Sequence, residues 1–164
     1  MKRAALACGA ALVLLLAAYG IYRLCLSDET RIREFVTGMA ADFNAGAVGS
    51  CVDGLAADYR EEIVRVRKDE VHQLLVALWF REKDPKTGEF PFRVELPPEE
   101  IRVTLDGEAR DKAEIELTAR FADVRRNGGK PLWQVRVEAK LAKVDGKWRV
   151  KSSRHETLEG RVPF

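Results

Sequence analysis

The chain has 164 residues, of which 46% are hydrophobic and 33% are charged. This composition excludes global disorder and a membrane protein with several spans. The formal net charge is +2, and three of the cations, Lys2, Arg3 and Arg23, flank an apolar run near the N-terminus. The rest of the chain carries 25 basic and 26 acidic residues. Such a near-neutral body lacks the basic surface that nucleic acid requires, so we expect no nucleic-acid partner.

The N-terminal apolar run has the length of a membrane span. Residues 4–22 are 19 consecutive residues without a charged side chain, close to the roughly 20 needed to cross a hydrocarbon core as a helix. Lys2 and Arg3 precede the run, which by the positive-inside rule keeps the N-terminus in the cytoplasm. We therefore predict a transmembrane signal-anchor at residues 1–26 and an extracytoplasmic domain at 27–164. The protein would be a single-pass protein of the bacterial inner membrane with a periplasmic domain.

Two other interpretations of this segment stay open. It resembles a cleaved signal peptide with Ala18-Tyr19-Gly20 as the cleavage site, in which case the domain is secreted. A lipid-modified cysteine is the other, although Cys8 lies early and Arg23 precedes Cys25 where small residues are typical. All three interpretations place the domain outside the cytoplasm. The odd number of cysteines and their wide spacing exclude a disulfide scaffold and a zinc knuckle, and Cys51 is expected on a helix face.

Helical periodicity dominates the first half of the domain. The predicted helices run from a cap at Ser27 or Asp28 to the Asn44-Ala45-Gly46 stop, from Val48 to Tyr59, and from Asp69 to Phe80. The third has the strongest apolar stripe. Residues 63–66 are short and β-branched, which predicts a small strand or a connector.

The second half alternates with a period of two, as strands do. Alternating apolar residues cover 90–96, 101–105, 113–121, 133–141 and a last run from Trp148 through Glu156. Asp-Gly and Asn-Gly pairs separate several runs and predict hairpins. We therefore predict an α+β fold in which three N-terminal helices pack on a curved antiparallel sheet. The other face of the sheet would be charged, and such a face is usually solvated rather than a docking surface. Its predicted members are Glu114, Glu116, Arg120, Arg136, Glu138, Lys140, Arg149 and Lys151.

This order of elements, closed by the hairpin sequence Asp145-Gly146-Lys147-Trp148-Arg149-Val150, resembles the nuclear transport factor 2-like superfamily. That superfamily includes SnoaL-like proteins and cystatin-like cone folds, and the resemblance covers residues 28–159. It implies a cone with a cavity between the helices and the concave face of the sheet. In the enzymes of the family, an Asp, Tyr or His that projects into this cavity performs acid–base chemistry. The family also contains many members without known chemistry, so the resemblance supplies no function.

The implied cavity defines a set of candidate residues. They are Tyr59, His72, Trp79, Trp133, Arg154 and Glu156. Tyr59 is expected in the core with its hydroxyl at the rim, and His72 is expected to be partly exposed beside the apolar stripe. Arg154 and Glu156 share the inward parity of Trp148, so they would reach the cavity mouth or pair with each other at the strand end. Trp79 and Trp133 would line an apolar pocket.

No catalytic, phosphate-binding or metal-binding motif is present, so we expect no cofactor and no metal site. The sequence supports two hypotheses. The first is a membrane-anchored extracytoplasmic binding or assembly module without catalysis, whose partner is a second copy or an envelope protein. The alternative is a small-molecule binder or acid–base enzyme that uses the cone cavity. A cavity of roughly 300 Å³ or more beside a buried ionisable residue would favour the alternative.

Overall fold

The computed structural model describes residues 26–107, 109–126 and 130–162. The predicted membrane segment at 4–22, with its cleavage-site and lipidation alternatives, lies outside these ranges. Within them, none of the helices has both the length and the apolar character needed to cross a bilayer.

The first helix, α1 (Asp28–Asn44), begins and ends where the sequence predicts. The Ser27 hydroxyl oxygen accepts the backbone N–H of Thr30 at 3.2 Å and caps the helix N-terminus. Ile32 and Val36 are buried on its inner face. Local capping and periodicity therefore account for this element.

The second predicted helix is too long. Helix α2 covers only Val48–Asp53, and strand β1 (Leu55–Glu61) follows it. The prediction that Tyr59 ends a helix is therefore wrong. The cause is tertiary, because β1 pairs in parallel with the last strand and aligns Leu55 with Val150. This pairing and its burial outweigh the helical spacing of the segment.

Residues 63–66 form a connector, and α3 (Lys68–Glu82) follows it, which confirms the third predicted helix. Every residue of α3 is described, and Leu78 alone is buried. Leu74 and Phe80 are 60% and 63% exposed. Helix α3 therefore keeps apolar surface outside the core.

The second half of the domain forms the sheet. The remaining strands are β2 (Phe92–Glu95), β3 (Arg102–Asp106), β4 (Lys112–Asp123), β5 (Pro131–Val144) and β6 (Lys147–Gly160). The order is β1-β6-β5-β4-β2, and β3 also pairs with β4. The pair β1–β6 is parallel and the others are antiparallel. The α+β prediction is confirmed, whereas the prediction of a wholly antiparallel sheet is wrong, because the sheet is mixed. Apolar side chains of all three helices pack against one face of it, an arrangement consistent with a cone.

A bulge in β6 reverses which side chains face the helices. Lys140 pairs with Ser152 and Leu141 pairs with Val150, so Lys151 is an extra residue of β6 with no backbone partner on β5. Beyond a bulge the inward set changes parity. Trp148 and Val150 are buried before the bulge, and Ser153 and His155 take the inward positions after it.

Candidate functional site

The space between the helices and the sheet is filled by aromatic side chains. The ring of Phe43 packs edge-on against Phe90 and Phe121, with centroids 5.4 and 6.0 Å away. Phe121 in turn lies 4.9 Å from the Trp133 ring. The void that remains beside Trp79 and Phe90 measures about 10 Å³, about the space of a single water.

Two of the residues predicted to line a cavity, Trp133 and Trp79, are therefore part of the packed interior. Trp133 is 9% exposed, and its indole N–H donates to the Thr157 hydroxyl at 3.1 Å. Trp79 lies against Gly46, whose φ is +69° and whose absent side chain leaves room for the indole. Cys51 lines the same small void, and burial raises the pKa of its thiol to about 11, with a further contribution from the charge of Asp42. A thiol protonated at neutral pH is a poor nucleophile.

A row of polar side chains crosses from β1 to β6 on the inner face of the sheet. We call it the inner polar row, and its members are Tyr59, Glu61, Ser153 and His155. The hydroxyls of Tyr59 and Ser153 are 2.7 Å apart and share a hydrogen bond. One residue pair further along, Glu61 Oε1 lies 3.0 Å from His155 Nδ1. The parallel pairing of β1 with β6 and the bulge at Lys151 bring the row together.

Within the row, Glu61 has the largest number of hydrogen-bond partners. It is 6% exposed, and its Oε2 accepts the backbone N–H groups of Ile63 at 2.8 Å and Val64 at 2.5 Å. Two backbone donors and the His155 ring therefore surround one buried carboxyl group, so most of its acceptor sites have a partner. When His155 donates its Nδ1–H to Glu61, Nε2 carries the lone pair, as in a carboxylate-oriented imidazole base.

Tyr59 is buried, as the sequence predicts, although it lies on a strand. Burial raises the pKa of its hydroxyl. The hydrogen bond to Ser153 lowers this pKa in part, and the charge of Glu61 raises it further. The neutral hydroxyl is therefore the form present near neutral pH.

The other three candidates lie away from the row. His72 is exposed on α3. The prediction that Arg154 and Glu156 point inward is wrong because the bulge turns them to the outer face. Arg154 binds Glu138 there, with Nε 3.0 Å from Oε2, and Glu156 accepts from Arg136 at 3.2 Å. Neither of the two reaches the interior.

The outer face of the sheet carries the charged ladder that the sequence predicts. It surrounds an open groove of about 510 Å³ whose charged residues are exposed or half-buried. Many of these charges already have cross-strand partners, including Glu116, which is 3.6 Å from Arg136 and 3.5 Å from Arg102. Small-molecule pockets are mostly apolar, so this groove has the character of a solvated face. Among residues 26–107, 109–126 and 130–162, no cluster of three His, Cys, Asp or Glu side chains could hold a metal ion.

No family model and no curated protein matches the sequence, but solved structures match its fold. A nuclear transport factor 2-like protein with a cystatin-like fold from Novosphingobium aromaticivorans matches with a TM-score of 0.65 at 15% identity, over 92% of each chain. A protein of unknown function with a cystatin-like fold from Nostoc punctiforme matches with a TM-score of 0.61 at 16% identity, over 83% of this chain and 94% of the other. The chain has a cystatin-like fold. This fold is also that of a protein provisionally named a scytalone dehydratase from Novosphingobium aromaticivorans, with a TM-score of 0.60 at 11% identity over 80% of this chain and 85% of the other. Similarity at this level establishes the cystatin-like fold and leaves the chemistry to the site itself.

Proposed function

We propose that the protein is a membrane-anchored extracytoplasmic binding or assembly module without catalysis. The observation that supports this most directly is the filled interior of the cone. The void beside Trp79 and Phe90, of about 10 Å³, is far below the roughly 300 Å³ of a small-molecule pocket. A partner would therefore bind to the surface of the domain.

The sequence supports the membrane part of the proposal. The apolar run ends at residue 22, and the cap of α1 at Ser27 follows within five residues. A linker this short would hold the domain close to the bilayer. Tethering raises the effective concentration of the domain for partners in the same membrane, which favours an assembly role.

The test has a localisation part and an association part, both on the full-length chain. In a bacterial host, the domain should resist added protease in intact cells and become sensitive to it when the outer membrane is opened. The protein should also remain in the membrane fraction after a carbonate wash. After extraction in mild detergent, light scattering corrected for detergent should give a protein mass above the 18.5 kDa of one chain, from a second copy or a bound envelope protein. A domain in the cytoplasm would refute the localisation, and a protein mass of one chain after extraction from its native membranes would refute the assembly role.

The Glu61–His155 pair favours a second candidate function, an acid–base enzyme or small-molecule binder. The oriented imidazole is the arrangement of a general base, and the His155 side chain is 34% exposed, so a substrate can approach it from solvent. Base-catalysed ring opening of 5-nitrobenzisoxazole is a general probe for a positioned base. This candidate predicts turnover that His155→Gln abolishes and His72→Gln leaves unchanged. Equal rates for all three proteins would exclude a usable base at His155.

A further inference from the structure

One end of the domain combines exposed apolar side chains with a concentration of positive charge. We call it the aromatic–basic end, and its members are Trp79, Phe80, Lys83, Lys86, Val124 and Arg126. Phe80 is 63% and Val124 50% exposed. The Lys83 ammonium lies 4.2 Å from the centroid of the Trp79 ring and 4.9 Å from that of Phe80. Cation–π contacts of this kind hold a lysine over its aromatic neighbours while leaving the ammonium accessible to an anion.

An ion-pair clamp built on one buried carboxylate joins the two segments that form this end. The Arg125 guanidinium donates to both carboxylate oxygens of Asp123 at 3.0 Å, and also to Glu82 Oε2 at 3.0 Å. Asp123 is 1% exposed, and its pKa is lowered, chiefly by the hydrogen bond from Arg125. The clamp therefore fixes the turn after β4 against the last turn of α3. Arg126 joins it, with Nε 3.4 Å from Asp123 Oδ2.

The charge at this end differs from that of the rest of the domain. Residues 80–93, 123–126 and 130 carry seven basic and four acidic residues, whereas the remainder of the chain after residue 23 carries 18 basic and 22 acidic residues. Positive charge is thus concentrated where the exposed aromatic side chains lie. An exposed apolar group ringed by cations is the surface that an acidic segment with an apolar anchor complements.

The position of this end disfavours the membrane as its occupant. The start of α1 lies at the far end of β5, where Asp28 binds Lys143 at 3.0 Å. The opposite end of α1 packs beside the aromatic–basic end, where Phe43 contacts Phe90. Helix α1 has 17 residues and separates the two ends by about 25 Å at 1.5 Å per residue. A bilayer that held residues 4–22 would lie away from Phe80 if α1 stands steeply on it.

We infer that the aromatic–basic end is the docking surface for an acidic protein segment that carries an exposed apolar side chain. This inference rests on the proposed binding function and specifies the surface and the chemistry of the partner. The apolar side chain packs against Phe80 and Val124, and the acidic groups pair with Lys83 and Lys86.

Site-specific photo-crosslinking of the full-length chain in its native membranes tests the inference. Phe80→p-benzoylphenylalanine is the test variant, Leu74→p-benzoylphenylalanine is the matched control on the same helix with similar exposure (60%), and Thr104→p-benzoylphenylalanine probes the outer face. We expect a discrete protein adduct from position 80 alone, in which the crosslinked peptide is net negative with an apolar residue. Adding Lys83→Glu with Lys86→Glu should lower the adduct yield by about tenfold or more without changing the circular dichroism spectrum.

Three outcomes would overturn the inference: a phospholipid adduct at position 80, a crosslinked peptide without net negative charge, or a yield that the charge reversal leaves unchanged. A protein adduct at position 74 or 104 but not at 80 would refute this surface while the binding function stands. No protein adduct at any position, together with a bare monomer in light scattering, would refute both.

Discussion

Replacement of Glu61 by alanine should destabilise the domain because three donors lose one buried acceptor. The Ile63 and Val64 amides and His155 Nδ1 all point at this carboxylate. A buried donor left without a partner costs about 1–3 kcal/mol, but Ile63 and Val64 are more than half exposed, so water replaces part of what their amides lose. We expect Glu61→Ala to lower the free energy of unfolding by about 2–3 kcal/mol. For a chain of this length, that corresponds to a fall in Tm of roughly 5–10 °C.

Two companion variants separate the hydrogen bonds from the charge. In Glu61→Gln the amide oxygen can accept both backbone N–H groups while its NH₂ donates to His155 Nδ1, so the loss should stay below about 1 kcal/mol. This exchange requires His155 to move its proton to Nε2, which ¹⁵N chemical shifts of the imidazole report. His155→Ala leaves the carboxylate with its two backbone donors and should cost about 1 kcal/mol.

Urea denaturation of the full chain in mild detergent, followed by circular dichroism, measures these differences. The reasoning would be refuted if the free energy of unfolding of Glu61→Ala were within about 0.5 kcal/mol of the wild-type value, which is the scale of an ordinary surface substitution. A Glu61→Gln protein as unstable as Glu61→Ala would also refute it, because the amide would then have failed to replace the carboxylate as acceptor.

Two further predictions concern packing and pH. Gly46→Ala adds a Cβ 2.6 Å from Trp79 Nε1 at a φ of +69° and should cost about 1–3 kcal/mol. Gly49→Ala, where a Cβ meets nothing within 4 Å inside α2, should be neutral or stabilising by up to about 1 kcal/mol, and thermal unfolding of both variants tests the contrast. Arg125 lowers the pKa of Asp123 below its ordinary 3.8. The stabilisation from this pair is therefore complete at pH values above the pKa that Asp123 has in the unfolded chain. It is lost as the pH falls through the lower pKa that Asp123 has in the folded chain. Unfolding between about pH 6 and pH 2 should therefore show a shallower loss of stability for Asp123→Asn than for wild type, and parallel curves would contradict the role of the clamp.

Much of the fold follows from local patterns. The Ser27 cap and the apolar spacing predict α1, and the alternation from residue 90 onward predicts the strands, because each signal lies within a few consecutive residues. The outward charges of β4 and β5 follow from the same alternation, since neither strand has a bulge in the region concerned.

The candidate site was only partly predictable. Tyr59 and Trp133 were expected inside and are buried, because apolar stripes identify such residues whatever element carries them. The sequence does not reveal Glu61 because it falls between the predicted helix, which ends at Tyr59, and the predicted connector at 63–66. The inward position of His155 was missed because one extra residue, Lys151, reverses the parity of the strand. The only local signal was the polar run after Val150, which marks a change in burial without revealing the bulge.

Sequence alone determined the helices-then-strands order, the turns and most of the apolar core, since these depend on periodicity and propensity over short windows. The exposure of Leu74 on the predicted stripe of α3 is an exception. Tertiary structure alone decided that Leu55–Glu61 is a strand, that the sheet is mixed, and that Glu61 meets His155. These features arise from contacts between residues about 90 positions apart. The physical reason is that burial and sheet pairing contribute more free energy than the weak local preferences they override.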